Sequence, residues 1–149
     1  MTRFDLKYIT TKSHFYKEAV AIREELFFKN MENSLDLIND DLESNGIHLV
    51  CLDYKKVIGT GPLNINEIMS VISQMAIKPT YQKQGIGAQI LNELLKYSKE
   101  KGVSKIKLST RETAINFYER FNFEVCGNKY PSNKTGIIHQ QMELKIEKV

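Results

Sequence analysis

Apolar and polar residues alternate from Arg3 to Ile9, with Phe4, Leu6 and Tyr8 against Asp5 and Lys7, and this predicts a first strand. Phe15, Ala19, Ile22 and Leu26 then recur at the spacing of one helix face, with Ser13 as its cap. A shorter helix follows Ser34, with Leu35, Ile38 and Leu42 on one side and Gly46 past its end. The runs 47–52 and 57–63 read as a hairpin joined by Asp53-Tyr54-Lys55-Lys56, with Pro62 expected to end the second strand or sit at an edge. Glu67 to Ile77 reads as one long central strand stopped by Pro79. Ile86, Ile90, Leu91, Leu94 and Leu95 form the clearest apolar stripe, a helix over 86–98. Residues 105–108 are strand-like, and Thr113 to Phe121 reads as a short helix. Two last strands, 123–126 and 137–146, flank a loop over 127–135. The order β-α-α-β-β-β-α-β-α-β-β predicts a mixed α/β domain with an antiparallel front half and one helical crossover after the long strand.

Composition narrows this. One domain spanning residues 1–149 is the natural organisation, and a chain of that length needs no metal or disulfide staple. The net charge of +3 is mild, and Lys alternates with Glu (Lys96, Lys99, Glu100, Lys101) instead of gathering on one face, which argues against a nucleic-acid partner. Cys51 and Cys126 lie far apart in apolar runs and read as small buried hydrophobes. The residues after Met1 form no apolar leader and no run is long enough to span a membrane, so a cytoplasmic protein is expected.

The segment Gln74-Met75-Ala76-Ile77-Lys78-Pro79-Thr80-Tyr81-Gln82-Lys83-Gln84-Gly85-Ile86-Gly87-Ala88 carries the chemistry. A strand ends, a polar loop turns, and two glycines open a strongly amphipathic helix. Glycine lets backbone amides approach a ligand closely, and a helix N-terminus adds unpaired N–H groups and partial positive charge. Together they suit a phosphate or pyrophosphate, with Lys83 as an added cation. A dinucleotide fingerprint would need a third glycine where Ile90 stands, and a P-loop would need Gly-Lys-Ser/Thr. On this segment alone, a glycine-containing loop without a ligand stays open.

Gln82-x-x-Gly85-x-Gly87, after a strand ending Ile77-Lys78-Pro79, resembles the acyl-CoA pyrophosphate loop of the GNAT acetyltransferases. The segment Ala114-Ile115-Asn116-Phe117-Tyr118-Glu119-Arg120-Phe121-Asn122-Phe123 resembles a second motif of that family, and the order of elements matches throughout. Ile22-Arg23-Glu24-Glu25-Leu26-Phe27 and Gly136-Ile137-Ile138-His139-Gln140-Gln141-Met142 further resemble a small bacterial GNAT subgroup, which has Pro where Ile138 stands. The resemblance implies a mostly antiparallel, twisted sheet of about seven strands flanked by about four helices.

It also implies acetyl-CoA as acyl donor. Backbone groups of Met75, Ala76 and Ile77 would meet the pantetheine arm. Amides of Gln82, Lys83, Gln84, Gly85, Ile86, Gly87 and Ala88 would hold the pyrophosphate, and Asn116 would contact the cofactor. Tyr118 matches the tyrosine that protonates the departing thiolate, and no metal is needed. The position of a base Glu in the histone-acetylating branch carries Val71 here. His139, Glu24, Glu25 and Glu67 remain as candidate bases, with His139 first because imidazole titrates near neutrality. The expected activity is transfer of an acetyl group to a primary amine on a small molecule or peptide, by direct attack in a ternary complex. The rival reading is an acyl-CoA sensor without turnover. The protein could be a monomer or a homodimer.

Overall fold

The computed structural model describes residues 4–29, 31–38 and 43–147. Strand β1 (Phe4–Ile9) leads to helices α1 (Tyr16–Phe27) and α2 (Ser34–Ile38), then β2 (Ile47–Asp53), β3 (Lys56–Ile65), β4 (Met69–Ile72) and β5 (Ala76–Ile77). Helix α3 (Ile86–Glu100), β6 (Lys105–Arg111), α4 (Ile115–Glu119), β7 (Glu124–Pro131) and β8 (Ile138–Lys145) follow. The sheet order is β1-β2-β3-β4-β6-β8-β7, with β5 beside β3. All pairings are antiparallel except β4 with β6, whose parallel register requires the α3 crossover.

Both faces of the β2–β3 hairpin are covered, which is why these strands read as continuous apolar runs. Val50, Leu52 and Val57 pack with Ile9, Ala19 and Ile22 beneath α1. Leu49, Cys51, Ile58 and Leu63 pack against Ile86, Ile90, Leu91, Leu94 and Leu95 of α3, so the whole predicted stripe is buried. At Gly61 a Cβ would lie 2.9 Å from Ile90 and 3.0 Å from Leu94, so its absence sets how closely α3 approaches β3. In β6, by contrast, Ile106 and Leu108 are buried while Lys107 and Ser109 are exposed, the pattern of a strand covered on one face.

Several expectations need correction. Helix α1 begins at Tyr16, and Ser13 accepts the Phe15 N–H (3.2 Å) in the turn before it rather than capping it. Leu35 is exposed although Ile38 is buried, and Leu42 lies outside the described residues. Cys51 is buried, but Cys126 is only half-buried on the edge strand β7, which runs to Pro131 and takes up much of the expected loop.

The largest correction concerns the long central strand, which is broken. β4 and β5 are separated by residues 73–75, with Gln74 in the left-handed region at φ +45°. Pro62 neither ends β3 nor lies at an edge; it pairs with His48 inside the sheet. Its carbonyl accepts the Ser73 N–H at 3.2 Å, and a strand residue directs its N and its C=O to the same side. The missing proline N–H therefore faces the break, where no ladder bond is lost.

A buried polar cluster braces that break from α1. Arg23, 1% exposed, makes a bidentate pair with Glu43 (2.7 and 2.8 Å), and its Nε donates to Gln74 Oε1 at 3.0 Å. The Tyr16 hydroxyl donates to the same carboxylate, and His48 Nε2 lies 3.3 Å from the Glu43 carbonyl. Burial alone would raise the Glu43 pKa, but hydrogen bonds from Arg23 and Tyr16, with the Arg23 charge, outweigh it and hold the carboxyl low. Burial lowers the His48 pKa against the opposing pull of Glu43.

Arg23→Met would leave the Glu43 carboxylate buried without its partner and should cost about 3–5 kcal/mol in urea denaturation. Stability of the wild type should fall in two steps on acidification. Below about pH 6.5 the unfolded chain protonates His48 before the folded protein does. At lower pH the contribution of ionised Glu43 fades as pH drops through its depressed folded pKa. The lower step should disappear in Arg23→Met, and its persistence there would assign it to other carboxylates.

Candidate active site

The break opens the sheet. Parallel pairing of β4 with β6 ends at Ile72 and Leu108, after which β6 continues alongside β8 while β5 stays with β3. β5 therefore has one edge on β3 and one facing the gap. The Lys78 N–H donates to the Ile58 carbonyl at 2.8 Å, and ladder alternation then turns the N–H and C=O of Ile77 toward the open edge. That carbonyl already accepts Gln82 Nε2 at 3.0 Å. Ala76 instead pairs with Thr60, and Met75 lies in the irregular segment.

At one end of β5 lies the glycine loop. A 3₁₀ turn over Pro79–Tyr81 leads through Gln82, Lys83 and Gln84 to Gly85, which precedes α3. Gly85 has φ +81°, a conformation that a side chain would strain, and no atom lies within 4 Å of where its Cβ would be. The Gln89 N–H donates to the Gly85 carbonyl at 3.1 Å as the helix begins, which leaves the N–H groups of Ile86, Gly87 and Ala88 without helical acceptors. The adjoining cleft is lined by Lys83, Arg120, Phe117 and Phe121, with no acidic side chain among its described lining residues. The Arg120 guanidinium lies 5.7 Å from the centre of the Phe117 ring. Asn116 is exposed and lines neither this cleft nor the cavity described next.

At the other end is a cavity of about 170 Å³ whose wall includes Gln74, Met75, Arg111, Tyr118 and His139. Consecutive residues of α4 thus serve different compartments, with Phe117 at the loop cleft and Tyr118 at the cavity. Tyr118 is buried against Phe123, and burial raises its pKa to about 12, so the phenol keeps its proton at neutral pH. His139 Nδ1 lies 2.9 Å from the Ile137 carbonyl. An Nδ1–H donated to that oxygen leaves the Nε2 lone pair available in the neutral ring. Of the other candidate bases, Glu24 accepts a hydrogen bond from Ser34 (2.8 Å), Glu25 and Glu67 are exposed, and none lines the cavity. Val71 lies outside the cavity as well.

A family model described as acetyltransferase (GNAT) domain matches residues 11–146. The chain belongs to the GNAT acetyltransferases, a family of acyl-CoA-dependent acyltransferases. It is 27% identical over 126 residues to the uncharacterized N-acetyltransferase YjcF of Bacillus subtilis, covering 85% of this chain and 89% of that one. Its fold is similar to an acyl-CoA N-acyltransferase from Pseudomonas aeruginosa, with a TM-score of 0.78, 18% identity and coverage of 94% and 98%. It is also similar to an aminoglycoside 6′-N-acetyltransferase complexed with coenzyme A, with a TM-score of 0.78, 13% identity and coverage of 97% and 99%. The mixed α/β architecture of this GNAT chain carries one more strand than expected, because the central strand is divided. No described helix is long and apolar enough to cross a membrane.

Arg111, Gln74, Arg120 and the pair Phe117–Phe121 had no expected role. The aromatic pair was visible at i, i+4 spacing, but nothing local marks Arg111 or Gln74.

Gly87 gives the cleaner test of the loop, because its Cβ would only touch Phe117 at 3.5 Å. Gly87→Val should fold and yet bind acetyl-CoA at least tenfold more weakly, about 1.4 kcal/mol by calorimetric titration. Unchanged affinity in the folded variant would remove the loop from the binding site.

Proposed function

We propose that this GNAT acetyltransferase transfers an acetyl group from acetyl-CoA to the primary amine of a small acceptor, by direct attack in a ternary complex. One observation carries the reading: the open edge of β5 joins an anion-suited loop at Ile77 to a cavity bearing Tyr118 and His139 at Met75. A cofactor with a pyrophosphate at one end and a thioester at the other fits that sequence of environments. An acetyltransferase of the same fold holds coenzyme A, which supports the choice of donor.

In this reading the N–H groups of Gly85, Ile86, Gly87 and Ala88 receive the pyrophosphate, with Lys83 and Arg120 nearby. The pantetheine arm runs along β5, where Gln82 yields the Ile77 carbonyl to it. The acceptor nitrogen attacks the thioester carbonyl, and a backbone N–H at the strand break stabilises the oxyanion. His139 Nε2 takes the proton released from nitrogen, directly or through one water. The C–S bond then breaks and Tyr118 donates toward the departing thiolate. Burial raises the phenol pKa to about 12, so Tyr118 holds its proton firmly while charge develops on sulfur. Tyr118 therefore acts first as a hydrogen-bond donor that stabilises developing charge on sulfur.

Tyr118→Phe removes one hydroxyl and little volume, so acetyl-CoA affinity should survive while kcat falls by roughly 10²–10³. Near wild-type turnover on a good acceptor would reduce Tyr118 to packing. His139→Gln keeps polarity but offers no base, so it should slow acetylation of one fixed acceptor by roughly 10²–10⁴ while acetyl-CoA binding stays intact. Near wild-type kcat/KM in that variant would return His139 to a structural role.

A further inference from the structure

The acceptor end of the cavity is built to meet negative charge. Its described lining residues include no Asp or Glu, and two of its cations are Arg111 and Lys134. Lys134 donates to the Leu37 carbonyl at 2.6 Å, so Arg111 is the stronger observation. Arg111 Nη2 donates to the Leu26 carbonyl (3.2 Å) and its guanidinium lies 5.1 Å from the centre of the Phe27 ring. Its Nε–H is buried without an acceptor, and its charge forms no ion pair with a described carboxylate. The buried Nε–H is closed to a ligand as the side chain stands, but Arg111 lines the cavity and no hydrogen bond among the described residues engages its Nη1, so the guanidinium keeps donors for a ligand group that accepts from it.

Gln74 adds a donor to the same wall. Its Oε1 is taken by Arg23 Nε at 3.0 Å, and this bond distinguishes the two ends of the amide. The nitrogen end is left to donate, and Gln74 lines the cavity. Arg111 is also the register partner of His139 on the neighbouring antiparallel strand, so the two side chains emerge on one face with Cβ atoms roughly 5 Å apart.

We infer that the acceptor is a small amine carrying an anionic group a few bonds from its nitrogen, with Arg111 and Gln74 receiving the anion and His139 facing the amine. This rests on the acetyl-transfer reading and adds the substrate class to it. Carboxylate and phosphate share the required chemistry, whereas a polyamine would bring positive charge to a cationic wall.

The test compares matched amines as acceptors, with thiol release from acetyl-CoA as readout: β-alanine with β-alaninamide, 2-aminoethyl phosphate with ethanolamine, and spermidine. The anionic member of at least one pair should have a kcat/KM at least tenfold higher than its neutral partner, and the pair that responds separates carboxylate from phosphate. The anion raises the basicity of its amine, so the intrinsic bias in free amine runs against this result. Arg111→Gln should bring the ratio toward one without weakening acetyl-CoA binding, and Arg111→Lys should retain part of it. Equal or better use of the neutral amines, or a preference for spermidine, would overturn the inference while acetyl transfer stood. If no amine releases thiol, amide chemical-shift titrations with coenzyme A present decide it. Shifts near Arg111 and His139 from the anionic amines alone would keep the site's class and discard the transfer reading. No shifts, or equal shifts from neutral amines, would discard the inference.

Discussion

The site depends on one constraint: β3 cannot pair continuously with the strand that follows it. Pro62 has no N–H to offer on the side where residues 73–75 pass, and Gln74 there adopts φ +45°. A non-glycine residue in that region costs on the order of 1 kcal/mol or more, so it persists only where the surroundings impose it. Arg23 supplies that imposition through Gln74, and Glu43 in turn fixes Arg23. Without the break, β5 would continue beside β6 and neither the open edge nor the cavity would exist.

The buried ion pair is better understood as a positioning device than as a source of stability. Desolvating an arginine and a carboxylate costs about as much as their attraction returns. What the pair provides is geometry, because a bidentate guanidinium admits one orientation of its remaining N–H. Glu43 is the one buried acidic side chain among the described residues, and Arg23, Tyr16 and His48 surround it. Its charge is therefore spent inside the scaffold and does not reach the cavity.

Most of the fold was legible in the sequence where the signal is periodic. Helix α3 declared itself through five apolar positions that are all buried, and the β2–β3 hairpin through two apolar runs. The division of the run from Glu67 to Ile77 was not legible, because its causes lie on another strand at Pro62 and on a helix at Arg23. The loop and Tyr118 stood out because their motif is local in sequence. Arg111 did not, because its significance comes from its register with His139 and from its place in the cavity wall, both products of tertiary structure.

In the proposed reaction the two compartments would recognise their ligands by different means, and this explains which one a motif can reveal. The loop offers backbone N–H groups at a helix start, so only glycines and the turn that precedes them are prescribed. The cavity offers side chains from α1's flank, the strand break, β6, α4 and β8, each free to change without disturbing the loop. α4 forms the partition, with Phe117 turned to one compartment and Tyr118 to the other. Under that proposal the acceptor could change while the donor stays the same, since the charge of the cavity wall is set by residues that carry no part of the glycine loop. In this chain that wall carries Arg111 and a Gln74 amide whose oxygen is already engaged, and the sign of both contributions is toward binding an anion.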